Sequence, residues 1–284
     1  MFKSRIDYCE VGFIDYNMGT SKRSSLKGEV IKMAQAVGAA TVGEGWTQMM
    51  PLGWVDNGNL AGGAGENVIY VNPETGKRYV DESAERDVLS EGGFENGMSE
   101  AKVKELGLKY VPGIYVEISN VGTTAGSGGF NNLPDDVEGR MIFRSVEETA
   151  ELIGCDAETL RQTIMDYDNY VMGVAKELEV EKLSYRGTVG QVEVDDNGNY
   201  LPETYSLDKI RVRFLAPSTH HTMGGLVTDT DRRVLNENDE AISGLYAAGE
   251  VAGGIHAGNR LGGNAITEII VSGRIAGNSA SNQK

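Results

Sequence analysis

Seven of the twenty residues from 244 to 263 are glycine, and all three histidines of the chain lie between residues 220 and 256. The run reads Gly244-Leu245-Tyr246-Ala247-Ala248-Gly249-Glu250-Val251-Ala252-Gly253-Gly254-Ile255-His256-Ala257-Gly258-Asn259-Arg260-Leu261-Gly262-Gly263-Asn264-Ala265. It follows His220-His221-Thr222-Met223-Gly224-Gly225. Glycine costs backbone entropy wherever it is fixed, so this density is expected only where the chain turns sharply or its backbone approaches a flat ligand. Residues 244–248 predict a strand ending at Gly249-Glu250. Gly262-Gly263-Asn264 leads into a helix with Ile266, Ile269, Ile270 and Gly273 expected to face the core. A helix N-terminus offers free N–H groups and partial positive charge to an anion or carbonyl oxygen. Glu250, at a strand's carboxyl end, can accept hydrogen bonds from ribityl or ribose hydroxyls. Glycine-rich turns of an α/β domain with incidental histidines are the alternative reading.

Composition narrows the class. There are 38 glycines and six prolines in 284 residues; at about 13% against a usual ~7%, the glycine excess is not a disordered Pro/Gly tract. The charge, 26 − 42 = −16, argues against nucleic acid as a partner, because phosphates need a basic face. No apolar run approaches the ~20 residues of a membrane helix. Cys9 and Cys155 form neither a disulfide framework nor a metal spacing.

The first firm element is an amphipathic helix over 26–38, with Val30, Met33, Ala34 and Val37 on one face and Gly38 as C-cap. No strand–turn–helix opening precedes it, so the chain reads as taken from a longer one. Residues 68–72 predict a buried strand, 73–77 a turn and 78–80 the return strand. The charged run 81–87 reads as a solvated helix start. Ser145-Val146-Glu147-Glu148 is a capping box opening a short helix that ends near Gly154. Asp156 caps a longer helix over 157–175, with Leu160, Ile164, Tyr167, Val171 and Val174 on one face. Residues 178–206 read as a polar surface loop with a turn at 195–199, whose Asp195-x-Asn197-x-Asn199 lacks the glycine and closing Glu of a calcium loop.

Three segments together, His220 to Gly225, Gly244 to Glu250 and Asn259-Arg260-Leu261-Gly262-Gly263-Asn264-Ala265, closely resemble the fumarate reductase/succinate dehydrogenase flavoprotein family, in its soluble flavocytochrome c fumarate reductase and urocanate reductase branch. The similarity is near-continuous over 219–277. It extends to the glycine-led helix at 28–40 and to Arg78-Tyr79-Val80-Asp81-Glu82 followed by Arg86-Asp87; over 95–215 it holds only in outline.

The resemblance implies α/β plus α+β architecture: a partial FAD-binding Rossmann-like domain interrupted by an α+β capping domain. Residues 1–46 would be a remnant of the first FAD-domain segment, 47–218 the cap over the substrate, and 219–284 the returning FAD-domain segment. It implies an FAD-dependent oxidoreductase that passes a hydride from flavin N5 to a C=C bond of an α,β-unsaturated carboxylate. Arg86 stands where the family's proton-donating arginine stands. An arginine acid is unusual, since its pKa exceeds ~12, and the same fork binds carboxylate well, so a binding role is the other reading of Arg86. His220 and Arg260 match the family's carboxylate clamp. His221, Gly249, Glu250, Arg260, Gly263, Asn264, Ala265 and Ile266 match positions at the flavin. An electron-donor domain or protein would lie outside this chain.

Departures sharpen the expectation. The family carries Gln-Ala-His-Pro with a substrate-holding His; here Gln48-Met49-Met50-Pro51 puts Met50 in its place. The family's Thr-Glu pair and relay Arg fall on Leu60, Ala61 and Ala64, with Glu66 a substitute only if the register slips. A pocket lined by Met50 and Leu60 opposite a retained clamp suits a substrate with one carboxylate and an apolar end, such as an aryl-acrylate. The family's Gly-x-Gly-x-x-Gly is missing, since Gly63-Ala64-Gly65 lacks the third glycine and precedes a strand. The fragment alone is therefore expected to bind FAD weakly or not at all. Two other functions remain open: an FAD-dependent dehydrogenase of ketosteroid type, which would leave the charged clamp unpaired, and a non-catalytic stand-alone module without FAD.

Overall fold

The structure is a computed structural model, and it describes residues 19–21, 27–61, 68–122, 141–182, 184–185 and 187–283. Cys9, Ala64, Glu66 and the Gly63-Ala64-Gly65 triplet lie outside these. The fold is mixed α/β. Two compact units divide it: one within Asn17–Ser21 and Met50–Ser218, the other within Lys22–Met49 and Thr219–Lys284.

The larger unit is built on one long strand, Ile210–Thr222, whose first residues pair on both sides. Tyr115–Ser119 lies antiparallel to it on one side, with Glu117 opposite Arg213, and Met141–Arg144 lies antiparallel on the other. Val68–Val71 extends the sheet antiparallel to Tyr115–Ser119. The run Val68-Ile69-Tyr70-Val71 is apolar without alternation because both faces of this strand are covered. On one face Ile69, Val71, Val116, Ile118, Ile210 and Val212 pack on Leu160, Ile164 and Tyr167. On the other, Val68, Tyr70, Tyr115 and Leu215 pack with Trp54, Ala61 and Leu89.

Two helices cover the first face. Val146–Ile153 has the full capping box of Ser145 and Glu148 and ends at Gly154 with φ 69°. Ala157–Val171 starts on Asp156, which accepts from Thr159 N at 2.7 Å. The expected extension to residue 175 fails: Gly173 takes φ 74° and Val174 is exposed. Left-handed glycine ends the helix before Val174 can join its buried face.

The expected loop over 178–206 is in part a hairpin, Gln191–Val194 with Tyr200–Ser206. Its strands are polar and only half covered, so no apolar alternation betrays them. Asp195 accepts from Asn197 N and Asn199 N at 2.9 and 2.8 Å and closes the turn. Asp168, fully buried on the long helix, anchors the hairpin by accepting from Val189 N, Gly190 N and Tyr205 Oη at 2.6 to 2.7 Å. Burial pushes the Asp168 carboxyl up to about 6, against the three donors that pull it down. A raised folded pKa favours the protonated fold, so this contribution is present below pH ~4 and is lost as pH rises through about 6. Denaturant melts from pH 4 to 7 are expected to show that slope, and Asp168→Asn to lack it; equal slopes would refute the assignment.

The charged run 81–87 is not a simple solvated helix start. Glu82 is buried and accepts from both Arg78 Nε (2.8 Å) and Nη2 (2.9 Å), from Tyr70 N (2.8 Å) and, as an ion pair, from Lys182 Nζ (3.2 Å). Arg78 also donates to Val180 O, and Lys182 to Val68 O at 2.6 Å. The predicted return strand 78–80 is a single bridge, Arg78 to Val71, because Arg78 turns inward to Glu82. The helix Arg86–Asn96 starts four residues later.

The smaller unit has a modest core of Ala34, Ala39, Leu226, Val234, Ala247 and Ala252. Thr41–Val42 pairs with Gly225–Leu226, and Arg233–Leu235 forms a hairpin with Ala241–Tyr246. Its helices are Glu29–Gln35 and Asn264–Asn282. Two expectations are corrected here. Ile266, Ile269 and Ile270 do not face a core; Ile266 is 61% exposed, and the buried residue of that helix is Ser272. Val30, Met33 and Val37 are likewise exposed; the helix Glu29–Gln35 ends before Val37 and buries Ala34. Helical periodicity reveals that an apolar face exists; it does not say which face the unit packs inward.

Candidate active site

The smaller unit gathers most of the candidate residues. The long strand runs through Thr219 to Thr222. Successive strand residues alternate faces, so His220 is half-buried while His221 is buried. The His221 ring meets His256 edge-on at 5.7 Å between centroids. Glu250 lies in the 3-10 turn Gly249–Val251, where Oε1 accepts from Thr222 N at 3.1 Å and Thr222 Oγ1 at 3.3 Å. Gly249, φ 78°, makes that turn possible.

The glycines divide by what a side chain there would meet. Gly224, Gly225 and Gly253 touch this chain's own backbone: a Cβ would stand 2.4 Å from Gly43 O, Val251 O and Gly225 N respectively. At these three positions backbone lies directly against backbone, where a side chain would not fit. Gly263 differs. It precedes the helix Asn264–Asn282 with φ 87°, no side chain caps that helix, and a Cβ there would meet nothing within 4 Å. Asn264, Ala265 and Ile266 form the helix's first turn, where Asn264 N donates to Leu261 O at 3.3 Å and Ile266 N to Gly263 O at 3.0 Å. A helix N-terminus carries partial positive charge, and the Glu250 carboxylate offers acceptors.

Arg260 is 6% exposed. Its Nη1 donates to Leu261 O at 3.2 Å, while Nε is buried and has no hydrogen-bond partner among the described residues. Burial lowers the guanidinium's pKa below the usual range, and the Glu250 charge works the other way. A buried guanidinium donor without a partner among the described residues calls for an explanation, and a guanidinium fork pairs well with carboxylate.

In the larger unit, Arg86 is the first residue of Arg86–Asn96, and Ser90 Oγ donates to its carbonyl at 2.6 Å. A cation at a helix N-terminus opposes the dipole by roughly 0.3–1 kcal/mol, so helix stability does not call for it. Met50 is buried in the strand Thr47–Trp54, and Leu60, bridged to Gly53, is 43% exposed. His220, His221, Gly249, Glu250, Arg260, Gly263, Asn264, Ala265 and Ile266 thus belong to one unit, and Arg86, Met50 and Leu60 to the other. Two residues were missed from the sequence. Gln48 is wholly buried, and its Nε2 donates to Arg260 O at 2.7 Å and Asn259 Oδ1 at 3.0 Å. His256 pairs with His221. Both contacts join residues over thirty positions apart, which no local pattern encodes; the signal for Gln48 was its place in the Gln-x-x-Pro element.

Comparison with known proteins bears on this set. The family described as "FAD binding domain" matches residues 14–266. An NADH:acrylate oxidoreductase of Vibrio harveyi is 38% identical over 271 residues, covering 92% of this chain and 24% of that protein. A fumarate reductase (cytochrome) of Shewanella frigidimarina is 29% identical, covering 98% of this chain and 42% of that one. The open conformation of a flavocytochrome c3 fumarate reductase superimposes with a TM-score of 0.63 at 27% identity, over 98% of this chain and 44% of that one. The chain therefore spans about a quarter to under a half of the length of these relatives.

Proposed function

The chain belongs to the FAD binding domain family, and from that premise we propose that it supplies cap and substrate-clamp residues of an FAD-dependent reductase acting on the C=C bond of an α,β-unsaturated carboxylate. The observation that carries this is the buried Arg260, whose Nε has no hydrogen-bond partner among the described residues. Bound flavin would supply the hydride. Arg260 and His220 would hold the carboxylate, and Arg260 would fix it by a charge-assisted fork. Glu250 and the helix N-terminus at Gly263 to Ile266 would hold the flavin, with His221 beside them. Arg86 would deliver the proton to the carbon that does not receive the hydride, once negative charge has built up there.

The substrate reading is a monocarboxylate. Met50 stands where the family's second carboxylate-holding His stands, and it brings no charge. Acrylate, named for the Vibrio harveyi relative, is a monocarboxylate and supports this choice over the fumarate named for the Shewanella frigidimarina relative. With reduced flavin and the full-length protein, acrylate and cinnamate-type acids are expected to turn over faster than fumarate. The reverse order would sink the monocarboxylate reading.

A further inference from the structure

We propose that Gln48 is a positioning residue for Arg260: its carboxamide fixes the loop that aims the guanidinium. This rests on the reading of Arg260 as the carboxylate-binding residue. Gln48 is wholly buried in the strand Thr47–Trp54, more than two hundred residues away in sequence, and both residues belong to the smaller unit. A carboxamide nitrogen has two hydrogens. Here it donates to two acceptors, Arg260 O at 2.7 Å and Asn259 Oδ1 at 3.0 Å. Two bonds to adjacent residues set both the position and the rotation of the loop.

The loop needs such a clasp. Ala257 takes φ 50°, a left-handed conformation that costs a residue with a Cβ. Gly254 and Gly263, on either side, also have positive φ. Chain with this many left-handed residues is held by its surroundings. Arg260 itself contributes little: its guanidinium bonds to Leu261 O and leaves Nε unused among the described residues. Its direction therefore follows from the backbone that Gln48 grips. Glutamate at 48 would turn two donor positions into acceptors facing two oxygens, and methionine would fill the space with no donor.

The test uses Gln48→Glu, Gln48→Met and Arg260→Ala in the flavin-loaded, full-length protein. Gln48→Glu and Gln48→Met are expected to raise KM for acrylate about tenfold or more while kcat changes far less, since small misplacement of a binding group is costly. The dissociation constant of propionate, measured calorimetrically on oxidised protein, should rise by the same factor. Unchanged KM and dissociation constant in both Gln48 variants, with Arg260→Ala raising them, would overturn the positioning role and leave the clamp reading intact. If Arg260→Ala also changes neither value, the clamp reading itself fails. Loss of folding in both Gln48 variants would overturn positioning in favour of a purely structural role.

Discussion

Arg86→Lys should cut turnover of an unsaturated carboxylate by roughly 10²–10⁴-fold, the span a positioned general acid contributes. The change keeps one positive charge at the start of Arg86–Asn96, so the helix dipole sees little difference and folding should survive. It removes the planar fork and its geometry, which an ammonium on a flexible stem does not reproduce. Steady-state kinetics separate the two roles open to this residue. Loss of kcat with KM and flavin absorbance preserved marks a proton donor. A raised KM with kcat retained would make Arg86 a carboxylate binder and refute the acid role.

Glu82→Gln should destabilise the larger unit by about 3–5 kcal/mol, the cost of breaking a buried ion pair by removing one partner. Arg78 and Lys182 would be left buried with their shared counter-charge gone; side-chain exposure of Glu82 and Lys182 is 0%. Glutamine could still accept from Tyr70 N, while its amide nitrogen would face the Arg78 and Lys182 donors, so the loss combines the missing charge with opposed donors. For a unit of this size the melting temperature should fall by roughly 6–20 °C. A shift of under ~1 kcal/mol would mean that the network is solvated or redundant. Because Glu82 sits four residues before Arg86, the same network anchors the chain leading into the helix that Arg86 opens.

Much of the local structure was legible in the residues. The capping box at Ser145, the cap at Asp156, the buried strand at Val68 and the turn after Asn72 follow from short-range hydrogen bonding and side-chain periodicity, and these operate within a few residues. The hairpin of 191–206 was not legible, because polar strands carry no apolar alternation. Glu82 read as part of a solvated charged run, since its partners Lys182 and Tyr70 N are remote from the charge pattern around it. Val174 read as buried because periodicity continues past Gly173, where the backbone does not.

The candidate site divides in the same way. Arg260, His220, His221 and Glu250 stood out because unusual residue types are crowded into one glycine-rich segment. Gln48 did not, because its role exists only when residues 48 and 260 meet. The sequence by itself determined the glycine-dense segment, the histidine and arginine it carries, the helix starts and the family likeness; all of these are local in the chain. The tertiary structure alone decided which glycines press on backbone and which stand before open space, which helix faces turn inward, and that one buried amide grips the loop of Arg260. Close packing joins residues regardless of their separation along the chain, and that is why no reading of neighbours could supply these contacts.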